Sequence, residues 1–362
     1  MRLAVVLWNG NLGGAESFSV GLSRALRQEG VDVRVLFVCY SAPLADRLAR
    51  GGIPWESLNL PRGRHVAFHP RLFARSTALL EADAALLVSP GFLPGALRAG
   101  RYRGAIVSVN HDTIVQRLPP AERVVRFVDR LSGFWASNAE VAVSDFLLER
   151  LRAQPHARRL VRIHNGVDMK SFHPGFLEEG TAFTVGWAGR LVPGKGVGEL
   201  LHAFAALPGA PRLRIAGDGP ERKTLEGRAR SLGIASSVSF EGWVPSMPEF
   251  WRGCHVAAMP SNELAESFGM AAAEAMASGL PVVATRRGAL PELVDDGSWG
   301  FLVPPGDSAS LGTALRRYLE NPGLRHEHGL RARGACEKRF DLKRCAASYL
   351  DLIDSILRGR KT

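Results

Sequence analysis

The sequence predicts an α/β fold made of two doubly wound domains facing each other across a cleft. Three observations carry this. Short Val-, Ile- and Leu-rich runs alternate with amphipathic segments, the pattern of parallel strands joined by crossover helices. The pattern breaks at an irregular stretch, Asn165–Phe176, holding Gly166, His173, Pro174 and Gly175, and then restarts at similar size. The 362 residues amount to about twice a common single-domain length.

Taken in order, the first half has buried-strand runs at Leu3–Leu7, Val33–Val38, Ala84–Val88 and Ala105–Val109. Shorter strands follow at Val141–Ser144 and Leu160–Ile163. Between the first two lies Gly14–Glu29, with apolar positions at Phe18, Val20, Leu22 and Leu26 that read as a helix, Phe18, Leu22 and Leu26 at i, i+4 and i+8. The second half predicts strands at Phe183–Ala188, Leu213–Ala216, Val238–Phe240, Val256–Met259, Val282–Ala284 and Phe301–Val303. The intervening helices are Val197–Leu207, Glu221–Leu232, Phe268–Ser278 and Ser308–Glu320. A last amphipathic helix, Leu342–Leu357, can pack on either domain. Ligands of such sheets sit outside the carboxyl ends of the strands.

Composition narrows the class. Hydrophobic residues make 46% and charged residues 22% of the chain, ordinary for a soluble globular protein and unlike disordered, collagenous or disulfide-scaffold chains. No stretch reaches the ~18 apolar residues of a spanning helix. The start lacks a secretory cleavage site. The four cysteines, Cys39, Cys254, Cys336 and Cys345, show no metal or redox spacing and read as reduced, partly buried thiols. The expectation is a cytoplasmic protein. The net charge of +11 is uneven: Met1–Lys170 holds 23 basic against 14 acidic residues, the remainder 23 against 21. A basic first half suits an anionic partner or is simply a solvated surface.

Charged and glycine-rich positions gather at strand ends. Glu266 and Glu274 bracket a strand-to-helix junction whose helix opens near Phe268. Unpaired N–H groups and the dipole there favour a phosphate. Two carboxylates can accept sugar or ribose hydroxyls, or can be a helix cap and a solvated face residue. Gly189-Arg190…Gly194-Lys195-Gly196 sets two cations beside a glycine-rich turn open to an anion, if they are not plain surface charges. It is not a P-loop, because Lys195 is followed by Gly196 and Val197 rather than a hydroxyl residue. Gly13 and Gly14 join the first strand to the first helix and permit a tight phosphate turn. They fall short of a dinucleotide fingerprint. His111 follows a strand at its carboxyl end, as a cleft residue or a buried structural histidine. No Asp-x-Asp occurs, so no metal is expected. A diphosphate leaving group would rely on Arg190, Lys195 and the helix start.

Together these stretches resemble family 4 of the retaining glycosyltransferases, a family with the GT-B fold of two Rossmann-like domains. The resemblance covers nearly the whole chain. It rests on Gly13-Gly14-Ala-Glu16, Asn165-Gly-Val-Asp168, Gly189-Arg190…Lys195-Gly196 and Ile215-Ala-Gly-Asp218-Gly-Pro. Glu266…Glu274, Gly288-Ala-Leu-Pro-Glu292 and Gly300-Phe-Leu-Val-Pro-Pro-Gly306-Asp complete it. It implies an acceptor-binding domain over 1–168, to which a terminal helix at 345–362 returns. A donor-binding domain would span 169–344. It implies sugar transfer from a nucleotide donor with retained anomeric configuration and no cofactor, a UDP-sugar favoured and GDP-mannose as the alternative. By position, Arg190 and Lys195 would hold the diphosphate and Glu274 the ribose hydroxyls. Glu266 and the Phe268–Gly269–Met270 backbone would hold the sugar. Val244 would lie near the base, and His111 would contact the transferred sugar. Gly13 and Gly14 would approach the phosphate and acceptor from the opposite domain. The sequence departs from the family at Gly288-Ala289, where Gly-Gly is common.

Residues 119–135 form a basic amphipathic stretch ending in Phe134 and Trp135. It suits an anionic membrane and a lipid-linked acceptor, with the enzyme peripheral on the inner face, or it is a core-facing helix. Polysaccharide precursors and small natural products are the other acceptor classes. Two rivals remain: a nucleotide-sugar epimerase on the same fold, and a non-catalytic nucleotide-sugar or anionic-surface binder. An epimerase needs acid/base groups on both faces of the sugar, and the sequence offers one cleft His. Nucleic acid is not expected, because aromatic and basic residues do not interleave.

Overall fold

The computed structural model describes residues 1–8, 13–39, 42–59, 76, 79, 81–89, 91–111, 127, 131–157, 159–175 and 180–359. The chain divides into two compact units, one of Met1–Asp112, Arg117–Gly166 and Leu342–Thr362, the other built on Val167–Asp341.

The first unit runs β1 (Arg2–Leu7), α1 (Gly14–Gln28), β2 (Asp32–Phe37), α2 (Ala42–Arg50), β3 (Trp55–Ser57) and β4 (Ala84–Val88). It continues with α3 (Leu93–Ala99), β5 (Ala105–Asn110), β6 (Ala139–Ala142), α4 (Asp145–Arg152) and β7 (Leu160–Arg162). All seven strands are parallel in the order β3-β2-β1-β4-β5-β6-β7. Leu3 of the central strand pairs with Val33 on one side and Ala84 on the other. The central strands are buried along almost their whole length, as expected where helices cover both faces of a parallel sheet.

The second unit runs β8 (Thr184–Ala188), α5 (Val197–Ala205), β9 (Arg212–Ala216), α6 (Arg222–Ser231), β10 (Val238–Gly242) and α7 (Met247–Arg252). Then come β11 (Val256–Met259), α8 (Met270–Ala277), β12 (Val282–Thr285), α9 (Leu290–Leu293), β13 (Gly300–Val303), α10 (Ser308–Glu320) and α11 (Pro322–Arg339). Its six strands are parallel in the order β10-β9-β8-β11-β12-β13. Trp187, Leu200, Leu213, Leu311 and Leu315 anchor its core. The final helix, α12 (Leu342–Arg358), belongs to the first unit and packs on α1 through an apolar stripe that includes Cys345, Tyr349, Leu352 and Ile353.

Several elements differ from the sequence reading. The strand expected at Val141–Ser144 lies at Ala139–Ala142, because the Ser144 hydroxyl caps α4 by accepting the Leu147 N–H at 3.1 Å. The helix expected from Phe268 starts at Met270. Edge strand β3 and helix α11 appear in no apolar pattern of the sequence. All four cysteines are buried. Of the 119–135 stretch, most lies outside the described residues. Phe134 and Trp135 sit in helical residues 131–136 and are solvent-exposed, Trp135 at 80%. Among the described residues no helix is long and apolar enough to cross a membrane.

Candidate active site

In the second sheet the strand order reverses between β8 and β11, and the loops leaving these neighbouring strands are the place where such sheets bind ligands. The two loops are laced together. The Gly194 carbonyl accepts the backbone N–H groups of Asn262 at 3.0 Å and Leu264 at 3.3 Å. Gly196 has φ +72, and a Cβ placed there would run into the Pro260 carbonyl. Only glycine satisfies both the left-handed backbone and that approach.

Both helices that follow start on a left-handed glycine, Gly196 before α5 and Gly269 (φ +101) before α8. Neither start has a side-chain cap. At α8, where Gly269–Ala271 are half-buried, the first-turn N–H groups are open to an anion at the positive end of the helix dipole, whereas Gly196–Gly198 at the start of α5 are buried. Lys195 lies directly before Gly196. Its Nζ meets Glu266 Oε1 at 2.5 Å, and Ser261 Oγ donates to the same oxygen at 3.0 Å. Both charged side chains are largely shielded, 15% and 21% exposed. Glu266 is therefore neither a cap nor a solvated residue. Arg190 differs: it is exposed, and among the described residues its guanidinium makes no hydrogen bond or ion pair. Lys195 is thus paired with a carboxylate, whereas Arg190, five residues earlier in the same loop, is exposed.

Glu274 is the fifth residue of α8, about one turn inside the helix, which begins two residues after the expected start at Phe268. Its Oε2 accepts the indole N–H of the fully buried Trp251 at 3.5 Å. Phe268 turns its ring into the core, edge-on to Phe340 with centroids 5.4 Å apart, so only its backbone faces the junction. Met270 is the first residue of α8, half-buried. Val244 lies half-buried in the loop between β10 and α7, beside exposed Trp243. The Gly288 turn, φ +60, is where a Cβ would press on the Glu266 backbone. Ala289, the departure from the family pattern, takes φ −83 and needs no glycine. Ser261 and Trp251 escape sequence reasoning. Ser261 could have been found from its place just past the carboxyl end of β11, whereas a buried Trp reads as core.

In the first unit, Gly13 is the extended residue that starts α1, again without a side-chain cap, and Gly14 opens the helix. Asn11 and Leu12 lie outside the described residues. His111 follows β5 directly and is partly buried. Its ring leans on Phe18 of α1, centroids 5.5 Å apart. Burial pulls its pKa down to about 4, so the imidazole is neutral at pH 7. Asn165 Nδ2 lies 3.5 Å from its Nδ1. Burial pushes the Cys254 and Cys336 thiols up to about 12, which removes them as nucleophiles at neutral pH.

Two family descriptions match, "Glycosyl transferases group 1" over residues 168–335 and "Glycosyltransferase Family 4" over residues 12–171. The chain belongs to these glycosyltransferases. Among similar proteins is a D-inositol 3-phosphate glycosyltransferase of Saccharomonospora viridis, 34% identical over 64% of this chain and 56% of the other. This chain thus spans about half the length of the first curated relatives it matches. A phosphatidyl-myo-inositol mannosyltransferase of Mycobacterium leprae is 29% identical over 95% of this chain and 93% of its own. Among solved structures, Anabaena HepE in complex with UDP and glucose superposes with a TM-score of 0.85 at 24% identity, covering 98% of this chain and 100% of that one. The glycosyltransferase chain thus has the two-domain GT-B architecture.

Proposed function

We propose that this glycosyltransferase is a retaining, metal-independent enzyme that takes its sugar from a nucleoside-diphosphate donor. A UDP-sugar is the first choice and GDP-mannose the second. The acceptor is lipid-linked, a polysaccharide precursor or a small molecule. The observation that carries the reading is the Lys195–Glu266–Ser261 cluster set beside two glycine-capped helix starts at the second sheet's switch point. The UDP of the HepE structure and the inositol phosphate in a relative's name support it. So does the basic first half.

Arg190 and Lys195 hold the diphosphate together with the start of α8, and Glu274 holds the ribose hydroxyls. Glu266 and the Phe268–Gly269–Met270 backbone hold the sugar, and Val244 borders the base. Gly13 and Gly14 let backbone approach the phosphate and acceptor, and His111 contacts the transferred sugar. A diphosphate arriving at Lys195 draws the ammonium off Glu266 and frees that carboxylate for sugar hydroxyls. The bond from the sugar's anomeric carbon to the phosphate oxygen breaks, its electron pair staying on the phosphate. The acceptor oxygen bonds to the anomeric carbon on the same face, and its proton passes to the leaving phosphate oxygen. Charge grows on that oxygen, so preorganised cations and N–H dipoles there supply the largest catalytic effect, on the order of 10²-fold or more per contact.

The test is thermal stability with UDP, GDP and ADP in turn, with and without EDTA. A nucleotide at 100 times its dissociation constant adds roughly 2.7 kcal/mol, several degrees in melting temperature. One nucleotide is expected to give a shift that survives EDTA and vanishes in Glu274→Ala. Its sugar conjugate should then be consumed with retained configuration. No shift with any nucleotide would refute the donor site, and a shift abolished by EDTA would refute metal independence.

A further inference from the structure

The first unit contains a second polar arrangement, centred on Asn165, that neither strand ends nor helix starts explain. Asn165 is 1% exposed, and its Oδ1 has no hydrogen-bond partner among the described residues. Its amide nitrogen lies 3.5 Å from His111 Nδ1. The backbone carrying it cannot shift away. A Cβ at the adjacent Gly166 would lie 2.5 Å from Leu342 Cα and 2.9 Å from Cys345 Cβ, so α12 seats this segment from beneath. The imidazole also meets the Phe18 ring, tilted at 52° with centroids 5.5 Å apart. The ring is therefore in contact with both an aromatic side chain and an amide seated by the fold.

We propose that Asn165 is a positioning residue for His111, its amide holding the imidazole in the tautomer protonated on Nε2. An amide N–H can only donate, so Nδ1 must offer its lone pair, and a neutral ring then carries its proton on the other nitrogen. Burial keeps the ring neutral at pH 7. His111 thus carries its proton on Nε2, a nitrogen the structure buries, and offers no lone pair there with which to act as a base. The consequence for catalysis rests on the reading above, in which His111 contacts the transferred sugar. It explains why a histidine there leaves proton uptake to the departing phosphate.

The test uses the full chain labelled with ¹⁵N-histidine and long-range ¹H–¹⁵N correlation spectra at pH 7, with the His111 signals assigned by their loss in His111→Gln. The wild type is expected to show protonated Nε2 and bare Nδ1. Asn165→Asp, nearly isosteric, is expected to place a proton on Nδ1, because a carboxylate only accepts. Alongside, turnover of the donor sugar should fall about tenfold in Asn165→Asp at unchanged donor KM, the weight of one positioned hydrogen bond. A wild-type ring protonated on Nδ1 overturns the proposal. So does a His111 tautomer identical in the wild type and Asn165→Asp, even if turnover falls, since that marks a purely structural role. The spectra need no substrate, so they decide the tautomer even if no nucleotide sugar is turned over, a failure that would count against the transferase reading instead.

Discussion

Gly196→Ala tests whether the two loops at the second sheet's switch point are clamped by backbone contact. Gly196 has φ +72, and an added Cβ would run into the Pro260 carbonyl, 2.6 Å from its carbon and 3.1 Å from Pro260 Cβ. Gly209 has a similar φ, +79, with nothing within 4 Å of its Cβ position. Gly209→Ala therefore reports the left-handed cost alone, about 1 kcal/mol. Gly196→Ala adds a backbone displacement of about 2 kcal/mol, since the obstructing atoms belong to main chain rather than to a flexible side chain. For a unit of this size that translates to roughly 2–4 °C in melting temperature for Gly209→Ala and roughly 6–12 °C for Gly196→Ala. The displacement acts between Lys195 and Ser261, which flank the clash on the two loops. Affinity for the nucleotide that stabilises the wild type should consequently fall about tenfold or more in Gly196→Ala, on the order of 1.4 kcal/mol, and hold in Gly209→Ala. Circular dichroism melts and titrations with that nucleotide check both. Equal melting temperatures for the two variants, or wild-type nucleotide binding by Gly196→Ala, would refute the clamp.

Three further outcomes are expected. Glu266→Gln keeps an acceptor for Ser261 but removes the charge facing the shielded Lys195 ammonium, so it should destabilise by about 1–3 kcal/mol and, in the folded enzyme, lower the rate of sugar transfer about 10²-fold; an undiminished initial rate rejects the role given to Glu266. His255 Nδ1 accepts the Thr184 N–H at 3.0 Å, and burial, with the charge of Arg325, pulls its pKa down to about 4. The unfolded chain's histidine titrates near 6.5, so between those values the unfolded state binds more protons and stability falls as pH drops from about 6.5 to about 4. Urea unfolding at pH 7 and pH 5 should show a loss smaller by about 1–2 kcal/mol in His255→Asn than in the wild type; parallel losses contradict it. Tyr349 is fully buried in α12, and its hydroxyl has no hydrogen-bond partner among the described residues. Tyr349→Phe should be neutral or stabilising by up to about 1 kcal/mol, and a clear drop in the urea midpoint would show that the hydroxyl is satisfied after all.

The parts of the fold legible in the sequence are those whose burial is apolar and regular. Buried parallel strands such as Ala84–Val88 and Val256–Met259 are continuous apolar runs, and they lie where the sequence reading puts them. Illegible elements bury something else. Helix α11 covers the core with His328, Gly329, Ala332 and Cys336, a face of small and polar residues that no hydrophobic period reveals. Strand β3 has three residues at the sheet edge. In β6, Glu140 is fully buried and receives the Ala157 N–H at 2.7 Å, so the strand's apolar run is broken and its start reads too late.

The same distinction separates the site's visible residues from its hidden ones. Charges at strand ends stand out because a folded chain has little reason to gather Arg190, Lys195, Glu266 and Glu274 beside glycines unless something anionic or hydroxyl-rich comes there. Their neighbours are hidden because they act by being buried. Trp251 and Asn165 look like core and linker until the structure shows the indole N–H turned to Glu274 and the amide turned to His111. Glycine caps mislead in a third way. A helix start signalled by Ser, Thr or Asp is readable, as at Ser144 and Asp307. A start on a left-handed glycine gives no side-chain signal, and it moves the onset of α8 from Phe268 to Met270. The uncapped start that hides a helix boundary from the reader is also what leaves its N–H groups open to a phosphate. At this junction the least legible boundary and the uncapped helix start therefore fall on the same residue, Gly269.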